Sequence, residues 1–341
     1  MRSLIDKLKE KRSLTLPEYK ALIENPVPEY AKEVAREVNV YKNTVFIRGL
    51  IEISNICKNN CYYCGIRAEN ASCTRYRLTR DEILSCADIG YPLGFRTFVL
   101  QGGEDSYYTD DVICDIVSAI KQKYPDCAVT LSLGERSFDS YKRMFDAGAD
   151  RYLLRHETAD REHYQKLHPD KMSFDNRMEC LKNLKAIGYQ VGAGFMVGSP
   201  YQTAESLAKD LKFIEEFSPN MCGIGPFLPH GATPFANMPA GDTDLTVYLL
   251  SLIRIMKPSI LLPATTALGS ATADGRERGI LAGANVIMPN LSPERTRKNY
   301  ELYDGKLSSG AEAAENLKEL KQKMQSIGYE IAVSRGDNHN V

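Results

Sequence analysis

The chain contains no tryptophan and only five histidines, and its 43 lysines and arginines are matched by 44 aspartates and glutamates. A formal net charge of -1 leaves no excess of either sign, so neither a nucleic acid nor a membrane surface is announced as a partner. No apolar run approaches the length needed to span a bilayer. Met1 to Lys11 mixes both charge signs and lacks the apolar core of a signal peptide. The histidines, His156 and His230 among them, show no ligand spacing, which leaves metal chemistry to cysteine. The nine cysteines form no regular pattern of pairs, so a disulfide framework is not indicated and a reducing, cytoplasmic compartment is expected. None of them follows Cys222.

Three cysteines are nevertheless crowded together, in Cys57-Lys-Asn-Asn-Cys61-Tyr-Tyr-Cys64. Structural zinc sites are tetrahedral and saturated, whereas three thiolates on one short loop leave a metal centre with an open position. Cys73 is the only nearby candidate for a fourth ligand, and it lies in a polar stretch. Buried thiols or an incomplete zinc knuckle are the alternatives, since free cysteine is often a small core residue. An iron-sulfur cube held by three cysteines keeps one iron free to chelate the amino and carboxylate groups of S-adenosylmethionine. The spacing, with Tyr63 before the last cysteine, resembles the signature of the radical S-adenosylmethionine superfamily.

The length of 341 residues and a hydrophobic content of 43% suffice for one large domain. Residues 1–45 read as a helical preface. There Thr15-Leu-Pro-Glu18 forms a capping box, and Pro26 and Pro28 precede a second helix from about Glu29. Short apolar runs then alternate with amphipathic stretches. Strands are expected near 46–53, 96–101, 128–133, 151–155, 190–196, 221–225, 258–262 and 284–288. Helices are expected at 79–90, 109–123, 137–147, 173–187, 203–217, 242–256, 271–282 and 309–327. Such alternation predicts an α/β fold, a complete (βα)8 TIM-type barrel over 46–305, with 306–341 as a helix and polar tail of the same domain.

The remaining motifs fall at strand ends, where such barrels keep their chemistry. Gln101-Gly-Gly-Glu104 is a turn whose glycines, Gly102 and Gly103, admit close backbone approach and whose carboxylate can meet an ammonium. On 128–133, Val129, Leu131 and Leu133 share the face expected to meet the helices, which sends Thr130 and Ser132 inward. Arg155 and Glu157 share a face past Leu154, either as a mutual salt bridge or as two charges beside a zwitterionic ligand. Arg177 begins the helix of the next unit. Gly192, Gly194 and Gly198 surround the end of the fifth strand, Thr265 and Thr266 follow the seventh, and Met288 closes the eighth.

Together these segments resemble one family within the superfamily, the FeFe-hydrogenase maturases of the HydE type. The likeness runs over roughly residues 10 to 305. It is carried by Phe46-Ile-Arg-Gly-Leu-Ile-Glu-Ile-Ser-Asn-Ile-Cys57, Cys64-Gly-Ile-Arg67, Tyr76-Arg77, Leu100-Gln-Gly-Gly-Glu-Asp105, Thr130-Leu-Ser-Leu-Gly-Glu135, Ala149-Asp-Arg-Tyr-Leu-Leu-Arg-His-Glu-Thr158, Gly223-Ile-Gly-Pro-Phe227, Pro263-Ala-Thr-Thr-Ala267 and Gly283-Ala-Asn-Val-Ile-Met-Pro-Asn290.

The resemblance implies that Cys57, Cys61 and Cys64 ligate a single 4Fe-4S cluster, with Tyr63 along the adenine of S-adenosylmethionine and Gln101 to Glu104 flanking its methionine. It implies that Glu157 and Arg177 bind cofactor ribose and carboxylate. Thr130, Ser132, Arg155, Thr265, Thr266, Met288, Tyr300 and Tyr303 match positions lining the family's substrate cavity. The implied reaction is reductive cleavage of S-adenosylmethionine to a 5'-deoxyadenosyl radical. That radical would act on a cysteine-bound Fe(CO)2CN unit delivered by a partner maturase, with reduced ferredoxin or flavodoxin as electron donor.

Two departures stand out. The C-terminal cysteines that many relatives use for a second cluster are missing, and Gly102 replaces a common serine. A methylornithine synthase-like isomerase is the nearest alternative, because Arg155 with Glu157 would also grip an amino acid. Biotin synthase fits less well, since Cys127 falls at the start of a strand, the wrong end of a barrel. A non-catalytic iron-sulfur scaffold would have no need of inward hydroxyls and charges.

Overall fold

The computed structural model describes residues 1–308 and 313–338. Its main sheet is wholly parallel and six-stranded, running in space through Gly49–Ser54, Thr97–Gly102, Ala128–Ser132, Arg151–Leu153, Gln190–Ala193 and Met221–Cys222. Helices Arg80–Gly90, Asp110–Lys123, Phe138–Asp146, Phe174–Ile187 and Ala204–Phe217 follow these strands in turn. Their starts match the sequence expectation to one residue because each carries its own start signal. Thr79, Thr109, Ser137, Ser173 and Thr203 all accept a backbone N–H of the first turn on their side chains.

The strands conform less closely. The expected first strand, 46–53, is two pieces, Thr44–Ile47 and Gly49–Ser54. Both run beside residues 285–291: the N–H groups of Phe46, Arg48 and Leu50 donate to Asn285, Ile287 and Pro289 carbonyls at 2.9 Å each. The expected strand 258–262 is reduced to single parallel bridges, Met221 with Leu261 and Pro263 with Val286, and the last expected strand is only Val286–Ile287. Runs this short give alternation too little length to show a period.

Three further corrections apply. The expected helix 271–282 is two short ones, Thr266–Ala271 and Gly275–Leu281. The expected helix 309–327 begins outside the described residues and is seen as a 3-10 turn Ala314–Asn316 followed by Leu317–Ser326. The C-terminal segment is more than a polar tail, because Glu330–Ala332 pairs in parallel with Thr44–Phe46.

One apolar core runs from Ile5 of the first helix to Tyr329, and it includes Val129, Leu131 and Leu133, the face expected to meet the helices. Three N-terminal helices, Arg2–Lys11, Leu16–Glu24 and Pro28–Val38, pack onto helices Ala204–Phe217 and Thr243–Met256. The capping box at Thr15 and Glu18 is formed. Among the described residues no helix is long and apolar enough to cross a membrane.

Candidate active site

The C-terminal ends of the parallel strands surround a cavity of about 330 Å³. The loop after Gly49–Ser54 brings Cys57, Cys61 and Cys64 to its wall as free thiols. Burial raises all three thiol pKa values, that of Cys61 to about 12. Thiolate ligation to a metal reverses that preference by expelling the proton. Among the described residues, no three His, Cys, Asp or Glu side chains are grouped to hold a metal ion. The three thiols border a shared space, and as thiolates they are the ligand type that iron-sulfur clusters take.

The Gln101–Glu104 turn lies directly against this loop. A Cβ on Gly103 would come within 2.3 Å of the Ile56 carbonyl oxygen and 2.7 Å of Cys57 Cβ, so only glycine allows the approach. The Glu104 N–H points at Cys57 Sγ, 3.4 Å away. Its carboxylate is held between Lys58 Nζ at 3.0 Å and the Glu135 N–H at 3.1 Å. Gln101 Nε2 donates to Tyr300 Oη at 3.4 Å.

On the opposite wall, Arg155 Nη2 approaches Glu157 Oε2 to 3.2 Å. The pair has the distance of an ion pair but not the angle of a hydrogen bond. Arg155 Nε and Nη2 and Glu157 Oε2 therefore remain without hydrogen-bond partners. The two charges nevertheless pair with each other, the mutual salt bridge that the sequence allowed, and the Arg155 side chain stays 31% exposed. Glu157 itself sits at φ 64, in the left-handed region. Arg177, which the resemblance assigns to the cofactor, is buried and lines the same cavity. It donates to Glu135 Oε1 at 2.5 Å and to the Arg155 carbonyl at 2.6 Å.

Tyr63 lines the cavity with its ring edge-on to His168, and Tyr63 Oη lies 3.1 Å from His168 Nε2. Since His168 Nδ1 is 3.0 Å from the Tyr164 carbonyl, the hydrogen-bond network assigns the proton to Nδ1 and makes Nε2 the acceptor. Burial pushes His168 down to about 3, so the ring is neutral. No spacing in the sequence marks His168, because its partner lies in a distant loop.

Of the residues singled out from sequence, Gly102, Ser132, Thr265, Met288, Tyr300 and Tyr303 also line the cavity. Thr130, Thr266, Gly192, Gly194 and Gly198 do not. Thr130 is fully buried one pleat deeper than Ser132, its Oγ1 without a partner, and Thr266 opens helix Thr266–Ala271. Leu228 and Leu302 line it unannounced, being apolar residues of irregular segments that look like any core residue in sequence, and Phe227 joins them from the end of the Gly223–Phe227 motif.

A family model described as the radical SAM superfamily matches residues 51–214. The chain is 51% identical over 263 residues to the [FeFe] hydrogenase maturase subunit HydE of Thermotoga maritima, covering 77% of this chain and 75% of that protein. The chain belongs to the HydE family of radical SAM enzymes. Among solved structures, methylornithine synthase (PylB) superposes on this HydE-family chain with a TM-score of 0.82 at 27% identity, over 96% of this chain and 97% of the other. The maturase HydG shares the fold, with a TM-score of 0.79 at 22% identity over 97% of this chain and 75% of the other. A radical SAM enzyme implies a 4Fe-4S cluster and S-adenosylmethionine, and the thiol trio with its glycine-fitted turn is chemically suited to both.

Proposed function

We propose that this enzyme acts in assembly of the FeFe-hydrogenase diiron subcluster, on a cysteine-bound Fe(CO)2CN unit supplied by a partner maturase. The observation that carries the reading is the cavity itself, whose lining brings the three thiols and the Arg155–Glu157 ion pair together. When bound, one cluster and S-adenosylmethionine supply reductive cleavage to a 5'-deoxyadenosyl radical, with reduced ferredoxin or flavodoxin as the electron source. Cys57, Cys61 and Cys64 hold the cluster. Tyr63, Gly102, Gly103, Glu104, Glu157 and Arg177 bind and orient the cofactor, with Gln101 and Ser132 beside them. The single bridges through Leu261, Pro263 and Asn290 support reading the strands as a complete (βα)8 barrel, which would keep solvent from the reacting centre.

Arg155 is the anchor of the substrate reading. A guanidinium that lines the cavity suits a carboxylate or an anionic metal complex. Thr265, Tyr300 and Tyr303 add hydroxyls to the same wall, and Met288 adds a soft apolar contact. Thr130 and Thr266 take supporting places behind that wall.

Arg155→Met is expected to retain the cluster and cleave S-adenosylmethionine without coupling, yet to fail in maturing FeFe-hydrogenase in a reconstituted system. Cys61→Ala, as control, is expected to lose both cluster absorbance and cleavage. Full hydrogenase activation by Arg155→Met would sink the reading. Efficient conversion of lysine to methylornithine by the native protein would replace it with the isomerase reading.

A further inference from the structure

Behind the Arg155–Glu157 edge lie two polar side chains that the reading above does not use. His156 and Asp210 are both completely buried, and neither lines the cavity. Residues 155 and 157 line the cavity, whereas the His156 ring packs against Phe213 at 4.5 Å between centroids. Asp210 reaches it from helix Ala204–Phe217.

The hydrogen bonds have a definite sense. The Gly194 N–H donates to His156 Nδ1 at 3.3 Å, so Nε2 carries the proton and donates to Asp210 Oδ1 at 3.2 Å. The Ala159 N–H donates to that same oxygen at 2.5 Å. Asp210 Oδ2 is buried without a partner. Burial, followed by the charges of Arg155 and Arg177, holds the His156 pKa well below its usual value, so the ring works as a neutral hydrogen-bonding link.

A carboxyl group with one oxygen bare is a poor way to fill a core. Its bonds end on the segment 156–159, and within that segment Glu157 holds a left-handed conformation that only a surrounding framework sustains in a residue with a side chain. The Glu157 N–H donates to the Gly194 carbonyl at 3.0 Å, so Gly194 is tied to both Glu157 and His156.

We propose that Asp210 and His156 form a positioning pair that holds Glu157 in its left-handed conformation and fixes its carboxylate on the cavity wall for the cofactor. The pair is not catalytic, since it touches neither the cavity nor anything bound there. The proposal rests on the reading that Glu157 binds S-adenosylmethionine.

The test uses the anaerobically reconstituted enzyme and the equilibrium dissociation constant for S-adenosylmethionine. Asp210→Leu is expected to weaken binding about tenfold with unchanged cluster absorbance, while Asp210→Asn, which keeps an acceptor at Oδ1, stays within about twofold. Glu157→Gln is expected to weaken binding comparably. Because Asp210 acts through Glu157, the double variant should bind no more weakly than Glu157→Gln alone, a non-additivity that a general loss of structure does not produce.

Weakened Glu157→Gln beside native-like Asp210→Leu overturns the pair alone, as do fully additive losses. An unchanged constant for Glu157→Gln overturns the cofactor reading of Glu157, and the pair's role with it. Should Asp210→Leu fail to fold, His156→Gln carries the comparison, since it severs the tie to Gly194. Native affinity in that variant overturns the proposal.

Discussion

Tyr63 shows how a single side chain at the site serves both surface and support. Its ring forms part of the cavity wall while its hydroxyl supplies the hydrogen bond from Tyr63 Oη to His168 Nε2, and the imidazole is stacked on Tyr164 at 3.9 Å between centroids. Removing the hydroxyl strands a buried acceptor, which costs about 1 to 3 kcal/mol. Tyr63→Phe is therefore expected to lower stability by about that amount in denaturant titration while leaving the cluster spectrum intact; a variant as stable as the native protein would mean that water replaces the bond. At this scale the sequence was legible wherever chemistry forces neighbours together. The thiols and the Gly-Gly-Glu turn stand out because each motif is contiguous, and the fold brings the two together at the cavity. His168, Glu135 and Asp210 are invisible there, because each acquires its meaning from a partner brought in by the fold. Thr130 is misplaced for another reason: alternation assigns a face correctly but says nothing about depth along the strand.

Among the elements, the segment from Asn299 to Leu307 does the most to define the cavity mouth. It is bonded to the cluster loop at both ends of the cysteine trio, through Asn55 Nδ2 to the Asn299 carbonyl at 2.6 Å and through the Gly65 N–H to the Leu302 carbonyl at 2.8 Å. From it Lys306 reaches inward to Glu52, with Nζ 2.6 Å from Oε1 of a carboxylate that is 0% exposed. Asn290 Nδ2 donates to the other oxygen at 2.9 Å. Breaking a buried pair from one side leaves a bare charge and costs about 3 to 5 kcal/mol. Lys306→Met should destabilise the apoprotein by that amount in urea, and Glu52→Gln combined with Lys306→Met should recover most of it. Equal losses in the single and double variants would show that Lys306 acts by packing alone. Elements with their own signals, such as the capped helices, are predicted to the residue, whereas this segment has no period and is held only by what it spans.

On the scale of the whole molecule, the two ends of the parallel strands are treated differently. The C-terminal ends open into the cavity, and the N-terminal ends are covered by residues 333–338. Arg151, buried at the start of its strand, pairs with Asp337 at 2.5 Å, Arg335 pairs with Asp150 at 2.9 Å, and Asn338 Nδ2 donates to the Asn220 and Ser259 carbonyls at 3.0 Å. Burial alone would raise the Asp337 pKa, but Arg151, with Arg335 and Gln190, lowers it to about 2. Because the folded value is depressed, the contribution is full above the unfolded carboxyl value of roughly 4 and is lost as pH falls through about 2. The stability difference between native protein and Asp337→Asn should accordingly shrink across that acid window; a constant difference would mean that the tail is held without this charge. The α/β class and its parallel order were readable from strict alternation, but the tail was not, since its charged residues match any solvated surface until their partners at the strand starts are known. The pairing of Glu330–Ala332 with Thr44–Phe46 also sets a schedule for biosynthesis. Both neighbours of the Thr44–Ile47 strand lie beyond residue 285, so at translation rates of about 5 to 20 residues per second the nascent chain carries that apolar edge unpaired for roughly 12 to 48 seconds before Val286–Ile287 has been made.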